Sequence, residues 1–498
     1  MPSSRPSATA PSRSKRRRRA LSSTLADGPV DAVVVGSGPN GLAAAITLAR
    51  AGKSVRVIEG QPTLGGGTRT EALTLPDFLH DVCSAIHPLA AGSPFFKTMP
   101  LARLGLDLIQ PNAPLAHPLD GGGAILIERS VEATAAGLGR DGAAYAQLMS
   151  PLVRRHEILT RAFVAPLQPS RHLVVMARFG INGIRSATSL AQGRFKDDGT
   201  RAAFEGMAAH SMLPPSRAGT GAFALILAMM AHAYGWPLAR GGSKQITEAL
   251  TAQLRSLGGQ VETGSWVDAI DRLPANRAAL FDVAPRSLVT IAGNRFPAGF
   301  RHALERYRYG PGVFKLDWAL DGPIPWRAPA CARAGTVHLA GSSAELAAAE
   351  TAVAHGQVAT QPFVILAQQS LFDPTRSPTG KHTGWAYCHV PNRSEVDMTE
   401  RIESQVERFA PGFKNRILAR HVMSPADVER HNPNYVGGDI NCGIADLRQL
   451  FLRPTPRLYA TPDRQIYLCS AATPPGGGVH GMCGVFAARS ALRRARWS

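Results

Sequence analysis

Near the N-terminus the run Gly36-Ser37-Gly38-Pro39-Asn40-Gly41 has the spacing of a main-chain cradle for a diphosphate. In such a loop Gly36 permits the tight turn out of a strand, and Gly38 lets the backbone approach a pyrophosphate with no Cβ in the way. Gly41 allows the following helix to pack closely on that strand. Pro39 belongs to the same contact loop. Glu59, 18 residues after Gly41, stands where an acid accepts hydrogen bonds from the ribose of an adenine dinucleotide. Two more glycine clusters bracket the chain. Gly65-Gly66-Gly67-Thr68-Arg69-Thr70 follows Glu59 closely, with Gly66, Gly67 and Arg69 as candidate contacts. Gly476 to Gly481 lies near the C-terminus, with Gly477, Gly478, Val479 and His480 as candidates.

The first loop serves NAD and FAD alike, so the choice between them comes from the other two clusters. An NAD domain ordinarily continues into a plain helix where the second cluster stands, whereas glycines there let the backbone approach a flavin. The third cluster precedes an expected helix over Met482 to Arg494, with Met482, Val485, Phe486 and Leu492 on one buried face. That helix start would present a positive dipole end to the N1 and C2 carbonyl region of a reduced flavin. FAD is therefore the expected cofactor. There is no C-x-x-x-x-C pair near the glycines, which argues against flavin–disulfide chemistry. Nor is there a second G-x-G-x-x-G after a strand, so no separate nicotinamide domain is visible. No spacing suggests a metal site. His480 could relay a proton as a near-neutral imidazole, or simply be a histidine hydrogen-bonded in a turn.

The elements that must position these residues are legible around the first loop. Val30 to Val35 is the apolar, β-branched run of a strand buried on both faces of a parallel sheet. Leu42 to Ala51 are strong helix formers ending at Gly52, and Ser54 to Ile58 reads as a second strand. Further on, Ile246 to Leu257 reads as a helix stopped by Gly258-Gly259, followed by a strand-like Gln260 to Thr263. Arg464 to Cys469 reads as another strand. Trp385 to Pro391 reads as an apolar, aromatic strand that either lines a hydrophobic cavity or is plain core.

The bulk composition sets the frame. With 498 residues, 44% hydrophobic and 18% charged, the chain is globular and large enough for two or three units. Its formal net charge is +19, and the first 28 residues carry seven Lys and Arg against one acid, leaving a moderately basic body. This balance favours anionic partners without choosing among a diphosphate, a membrane surface and nucleic acid. Residues 1–28, rich in Ser, Pro, Ala and Arg, are expected to be a disordered basic tail, with a transit peptide or a nucleic-acid patch as alternatives. Six scattered cysteines suggest a reducing compartment. The longest apolar stretch, Ala222 to Ala231, reads as a buried helix, too short to cross a bilayer.

These segments together resemble the phytoene desaturase-like FAD-dependent oxidoreductases within the amine oxidase-like class, most nearly the pyridine nucleotide-disulfide oxidoreductase domain-containing group and its bacterial relatives. The resemblance is carried by VVVGSGPNGLAAAITLARAG at Val33 to Gly52, the stretch Glu59 to Thr70, and LARGGSKQITEAL at Leu238 to Leu250. YGPGVFKLDWALDGPIPW at Tyr309 to Trp326 and LCSAATPPGGGVHGMCG at Leu468 to Gly484 complete it. It implies an α/β architecture, a discontinuous Rossmann-like FAD domain with an inserted α+β substrate domain. The cofactor domain would take 29–100, 238–300 and 436–498, and the substrate domain 101–237 and 301–435. Relatives usually place an arginine directly after the glycine pair that follows the ribose acid. Here Gly67 takes that position, so either Arg69 substitutes or the diphosphate is neutralised otherwise.

The expected activity is hydride transfer from an apolar, isoprenoid- or lipid-like small substrate to flavin N5, which needs placement more than an acid–base triad. Two alternatives stand beside it: an amine oxidase-like enzyme, although the C-terminal segment lacks an aromatic pair before the flavin, and a flavin-holding regulatory protein with little turnover. The expected location is cytoplasmic, or the mitochondrial matrix if the tail is a transit peptide. Peripheral membrane contact is anticipated and sequence-specific nucleic-acid binding is not.

Overall fold

Five parallel strands form the sheet that carries the first glycine loop, in the order Ile466–Leu468, Ala278–Phe281, Ala32–Val35, Val55–Ile58, Gln260–Glu262. They come from three distant stretches of chain. In the computed structural model, which describes residues 28–167, 170–451 and 453–497, every residue of the central strand Ala32–Val35 is buried. A strand flanked on both sides and covered on both faces must be apolar at every position, which is why its sequence shows no alternation. The basic tail lies outside the described residues except for Gly28.

The helix after the loop runs Pro39–Arg50, three residues earlier than its helix formers suggest. Pro39 at its start has a fixed φ suited to the first helical position and no N–H to leave unsatisfied, so the loop's last glycine lies inside the helix. Gly52, at φ 74°, closes it. Lys244–Ser256 and Met482–Arg494 are the other two helices on this face, and the second matches its expected span. Alanine-rich sides let these helices lie close: Leu42, Ile46, Leu250, Leu254 and Val485 share one core with Val34 and Val57.

A second, seven-stranded mixed sheet runs Ile417–Met423, Gly312–Leu320, His382–Val390, Val364–Ala367, Ala334–Leu339, Ala113–Pro118, Ala124–Ile127. Its only parallel pair joins Ala113–Pro118 to Ala334–Leu339, with Thr336 opposite Leu115. Strand alternation decides the double reading of the Trp385 segment. Ala386, Cys388 and Val390 face a core with Trp318 and Leu366, while Trp385 and Tyr387 face a cavity on the other side. Both readings hold, one per face.

Helices from Val131 to Ala233 cap this sheet, among them Thr220–Ala233, which contains the apolar stretch noted above and is largely buried. Among the described residues no helix is long and apolar enough to cross a membrane. An ion-paired staple ties the two sheets' segments together. Arg376, fully buried, donates from Nε to Asp373 Oδ2 at 2.9 Å and from Nη2 to Asp81 Oδ2 at 3.0 Å. Asp81 in turn accepts from Ser243 N and Thr70 Oγ1, and Asp373 from Gly241 N.

Candidate functional site

The three glycine clusters meet. A Cβ on Gly66, which has φ 54°, would stand 3.2 Å from Gly38 Cα, and Gly65 N donates to Ser37 Oγ at 3.1 Å. At the other contact, a Cβ on Gly484 would stand 1.8 Å from Asn40 O, so the first turn of the last helix presses on the first turn of the first. Two helix starts from opposite ends of the chain thus open towards one place. A cavity of about 950 Å3 lies there, lined by Gly36, Gly38, Pro39, Glu59, Gly66, Gly67 and Arg69 and, beyond them, Gly477, Gly478, Val479 and His480. Every candidate contact except Gly41 lines it. Gly41 is packed beneath: its Cβ would fall 2.1 Å from Gly36 O.

Glu59 is where an acid for ribose hydroxyls should be, at the end of the strand Val55–Ile58. Its Oε2 accepts from Ser37 N at 2.9 Å and from Ser37 Oγ at 2.6 Å, and its Oε1 from Gln61 N. Arg69 stands 3.6 Å from Glu59 and donates to the carbonyls of Thr63 and His431. Its charge therefore belongs to the Glu59 end of the cavity. The departure at Gly67 has a steric cause: a Cβ there would stand 2.0 Å from the Tyr435 hydroxyl, so no arginine fits.

His480 is held as a turn residue. Its Nδ1 accepts from Met482 N at 3.0 Å and its Nε2 donates to Gly476 O at 3.1 Å, which fixes the neutral tautomer and occupies both nitrogens. Burial pushes its pKa down to about 4. Both partners are backbone atoms of the same turn, which favours the turn reading of His480 over the relay reading.

Three residues that the sequence did not single out complete the site. Asp282 ends the strand Ala278–Phe281 and plugs the first loop from below. Its Oδ2 accepts from Gly41 N at 2.9 Å and would lie 2.6 Å from a Cβ on Gly38. Burial, with Glu59 nearby adding to it and the Gly41 bond opposing it, pushes the carboxyl up to about 7. A raised folded-state pKa means that this carboxyl's contribution to stability is complete below about pH 4 and is lost as pH rises through about 7. We expect the cofactor-free protein to lose on the order of 4 kcal/mol across that window from this group. Asp282→Asn should flatten that part of the profile; urea unfolding at several pH values checks it, and an unchanged slope would refute it.

Arg453 lies beneath the third cluster, 3% exposed, with Nη1 3.4 Å from where a Cβ on Gly476 would stand. It donates only to carbonyls, those of Asn441, Cys442 and Ala471, and its Nε has no partner. Among the described residues no carboxylate pairs with it at salt-bridge distance. A buried cation left in that state is costly until an anion arrives. Lys315 is the third: it pairs with Asp317 behind the cavity wall, 5.9 Å over the Trp385 ring. All six cysteines are free, and the described residues contain no cluster suited to a metal.

Past Trp385 the walls turn apolar, with Phe163, Phe179, Phe223, Ile226 and Trp236. A glycine-lined cradle joined to an apolar chamber, on a parallel sheet with a mixed sheet beside it, is the arrangement of a dinucleotide-binding oxidoreductase with a Rossmann-like domain. Residues 34–98 match the NAD(P)-binding Rossmann-like domain family. Over its length the chain is a homologue of mouse pyridine nucleotide-disulfide oxidoreductase domain-containing protein 2, at 26% identity over 93% of both chains. It is also 25% identical to a phytoene dehydrogenase of Streptomyces griseus, over 79% of this chain and 78% of that one. In architecture it is similar to a putrescine oxidase solved with putrescine bound, with a TM-score of 0.60 at 16% identity, covering 94% of this chain and 99% of that one.

Proposed function

We propose that the protein holds FAD along the three glycine clusters and oxidises an apolar, isoprenoid- or lipid-like substrate in the chamber beyond Trp385. The observation that carries the cofactor assignment is Arg453, a buried guanidinium that has an unpartnered Nε and, among the described residues, no carboxylate at salt-bridge distance, although Asp439 lies within electrostatic reach, beside a cradle lined by glycines. FAD bound there would supply a hydride acceptor at N5 of its flavin. The residues fit it in order: Glu59 takes the ribose hydroxyls, the Gly36 to Gly38 and Gly66 backbone takes the diphosphate, and Gly476 to Val479 with Arg453 meets the electron-rich flavin edge. Trp385 and Tyr387 present aromatic faces where the chamber begins, and the apolar walls keep water from the reacting carbon.

The chamber's walls favour the apolar reading over amine oxidation, since among the described residues the carboxylates lining the cavity are Glu59 and Asp282, both at the cradle, and none stands at the apolar end to hold an ammonium group. Anaerobic flavin reduction by a polyene or lipid panel, set against small amines, tests it. Reduction by amines alone would overturn it.

The anticipated membrane contact belongs to the segment around the helix Leu173–Gly183. Leu167, Leu173, Val174, Ile181 and Ile184 are each at least 60% exposed there. Arg154, Arg155, Arg171 and Arg178 lie in the same part of the chain without ion-pair partners among the described residues, and Ile181 and Ile184 also line the cavity. An exposed apolar segment with arginines close by in the chain suits an anionic bilayer. Sedimentation with phosphatidylserine vesicles should be reduced severalfold by Ile181→Glu, and equal binding of both forms would sink the assignment.

A further inference from the structure

In the cavity lining that includes Phe223, Ile226, Trp236 and Ile365 stands the imidazole of His210. His210 caps the helix Asp198–Ala209 and its ring meets Trp236 edge-on, with centroids 5.8 Å apart. Its Nε2 shares a proton with His338 Nε2 at 3.0 Å, and its Nδ1 has no partner among the described residues. His338 is fully buried, and its own Nδ1 is unpartnered. That ring fits only because position 206 is glycine, whose Cβ would fall 2.6 Å from His338 Nδ1. The pair also sits close to the cofactor end. Asn441 Nδ2 donates to His210 O at 3.4 Å, and Asn441 Oδ1 lies 2.8 Å from where a Cβ on Gly477 would be.

We propose that His210 is a catalytic base that anchors a hydroxyl, so that the substrate is a lipophilic alcohol oxidised at its carbinol carbon. This rests on the reading of the cavity as a flavin oxidoreductase site. The substrate O–H donates to His210 Nδ1. As the carbon gives up its hydrogen with the bonding pair to the oxidised flavin, the carbon–oxygen bond becomes double and the hydroxyl proton passes to Nδ1. The Nε2 proton of His210 shifts towards His338 Nε2, so that the histidine pair carries one positive charge between its two rings and the new Nδ1–H of His210 donates to the product carbonyl. Two electrons go to the cofactor, one proton goes to the histidine pair, and no other reactant is needed. Burial keeps both rings neutral beforehand, pushing His210 down to about 3 and His338 well below the usual imidazole value. An uncharged acceptor of this kind suits a hydroxyl in an apolar chamber, and the same burial makes the protonated pair short-lived, so that it gives its proton up again after each turnover. His338 is a positioning residue, since it acts through His210.

The test is anaerobic reduction of the holoprotein's flavin by farnesol and 1-dodecanol against farnesene and dodecane. The alcohols should reduce it and the matched hydrocarbons should not. His210→Phe should keep its flavin content and slow reduction at saturating alcohol by roughly 100-fold or more. His210→Gln, which keeps a hydrogen bond without a base, should change KM little while lowering kcat to a similar extent. His338→Gln should lower kcat without raising KM. Reduction by hydrocarbons alone would overturn this proposal and leave the flavin reading intact. Reduction by neither class would overturn both, and an unchanged rate in both His210 variants would remove His210 from the chemistry.

Discussion

Gly41→Ala should purify without bound dinucleotide and bind added FAD at least about 100-fold more weakly, equivalent to about 2.7 kcal/mol. The added methyl would stand 2.1 Å from Gly36 O and 3.1 Å from Asp282 Oδ2. The nearer of these is main chain in the tightest part of the loop, so relief requires the loop itself to move. A moved loop takes with it the Gly38 backbone and the Asp282 bond to Gly41 N. Overpacking at such a site also costs about 1–3 kcal/mol of stability, so binding must be compared on protein shown to be folded by its far-UV spectrum. Gly299→Ala is the matched control, because a Cβ there meets nothing within 4 Å. Isothermal titration with FAD decides it, and wild-type affinity in Gly41→Ala would mean that this loop does not shape the site.

Arg376→Leu should be the most destabilising substitution of a charged residue in the protein, at about 3–5 kcal/mol. The guanidinium is fully buried, and removing it strands Asp81 and Asp373 without their shared cation. Each carboxylate keeps backbone donors, Ser243 N for one and Gly241 N for the other, which limits the loss but does not supply charge. The three segments joined there are remote in sequence, so the loss should appear as a fall in the urea midpoint of cooperative unfolding. A shift below about 1 kcal/mol would place the staple among the weak surface pairs.

What the sequence revealed and what it concealed divide along sequence distance. The strand, loop, helix and second strand from Ala32 to Ile58 are contiguous, and their period, glycines and terminal acid all act locally. The helix Met482–Arg494 was equally legible. Asp282 was not, because it reaches Gly41 across 241 residues and has no motif of its own. Gly67 looked like a missing arginine until Tyr435, from a distant loop, was found in the space that a side chain would need. His480 stood in a suggestive motif, yet only the geometry showed both its nitrogens committed to the turn. Arg453 and the pair of His210 with His338 gave no spacing signal, since their meaning lies in partners they lack or find across the fold.

The most direct measurement is the visible absorption of the freshly purified chain, followed by chromatography of whatever heat releases from it. The protein should be yellow, with flavin bands, and should release stoichiometric FAD, and its Arg453→Met form should bind FAD weakly. A chain that emerges colourless, and gains no flavin band when incubated with FAD, would contradict the cofactor assignment.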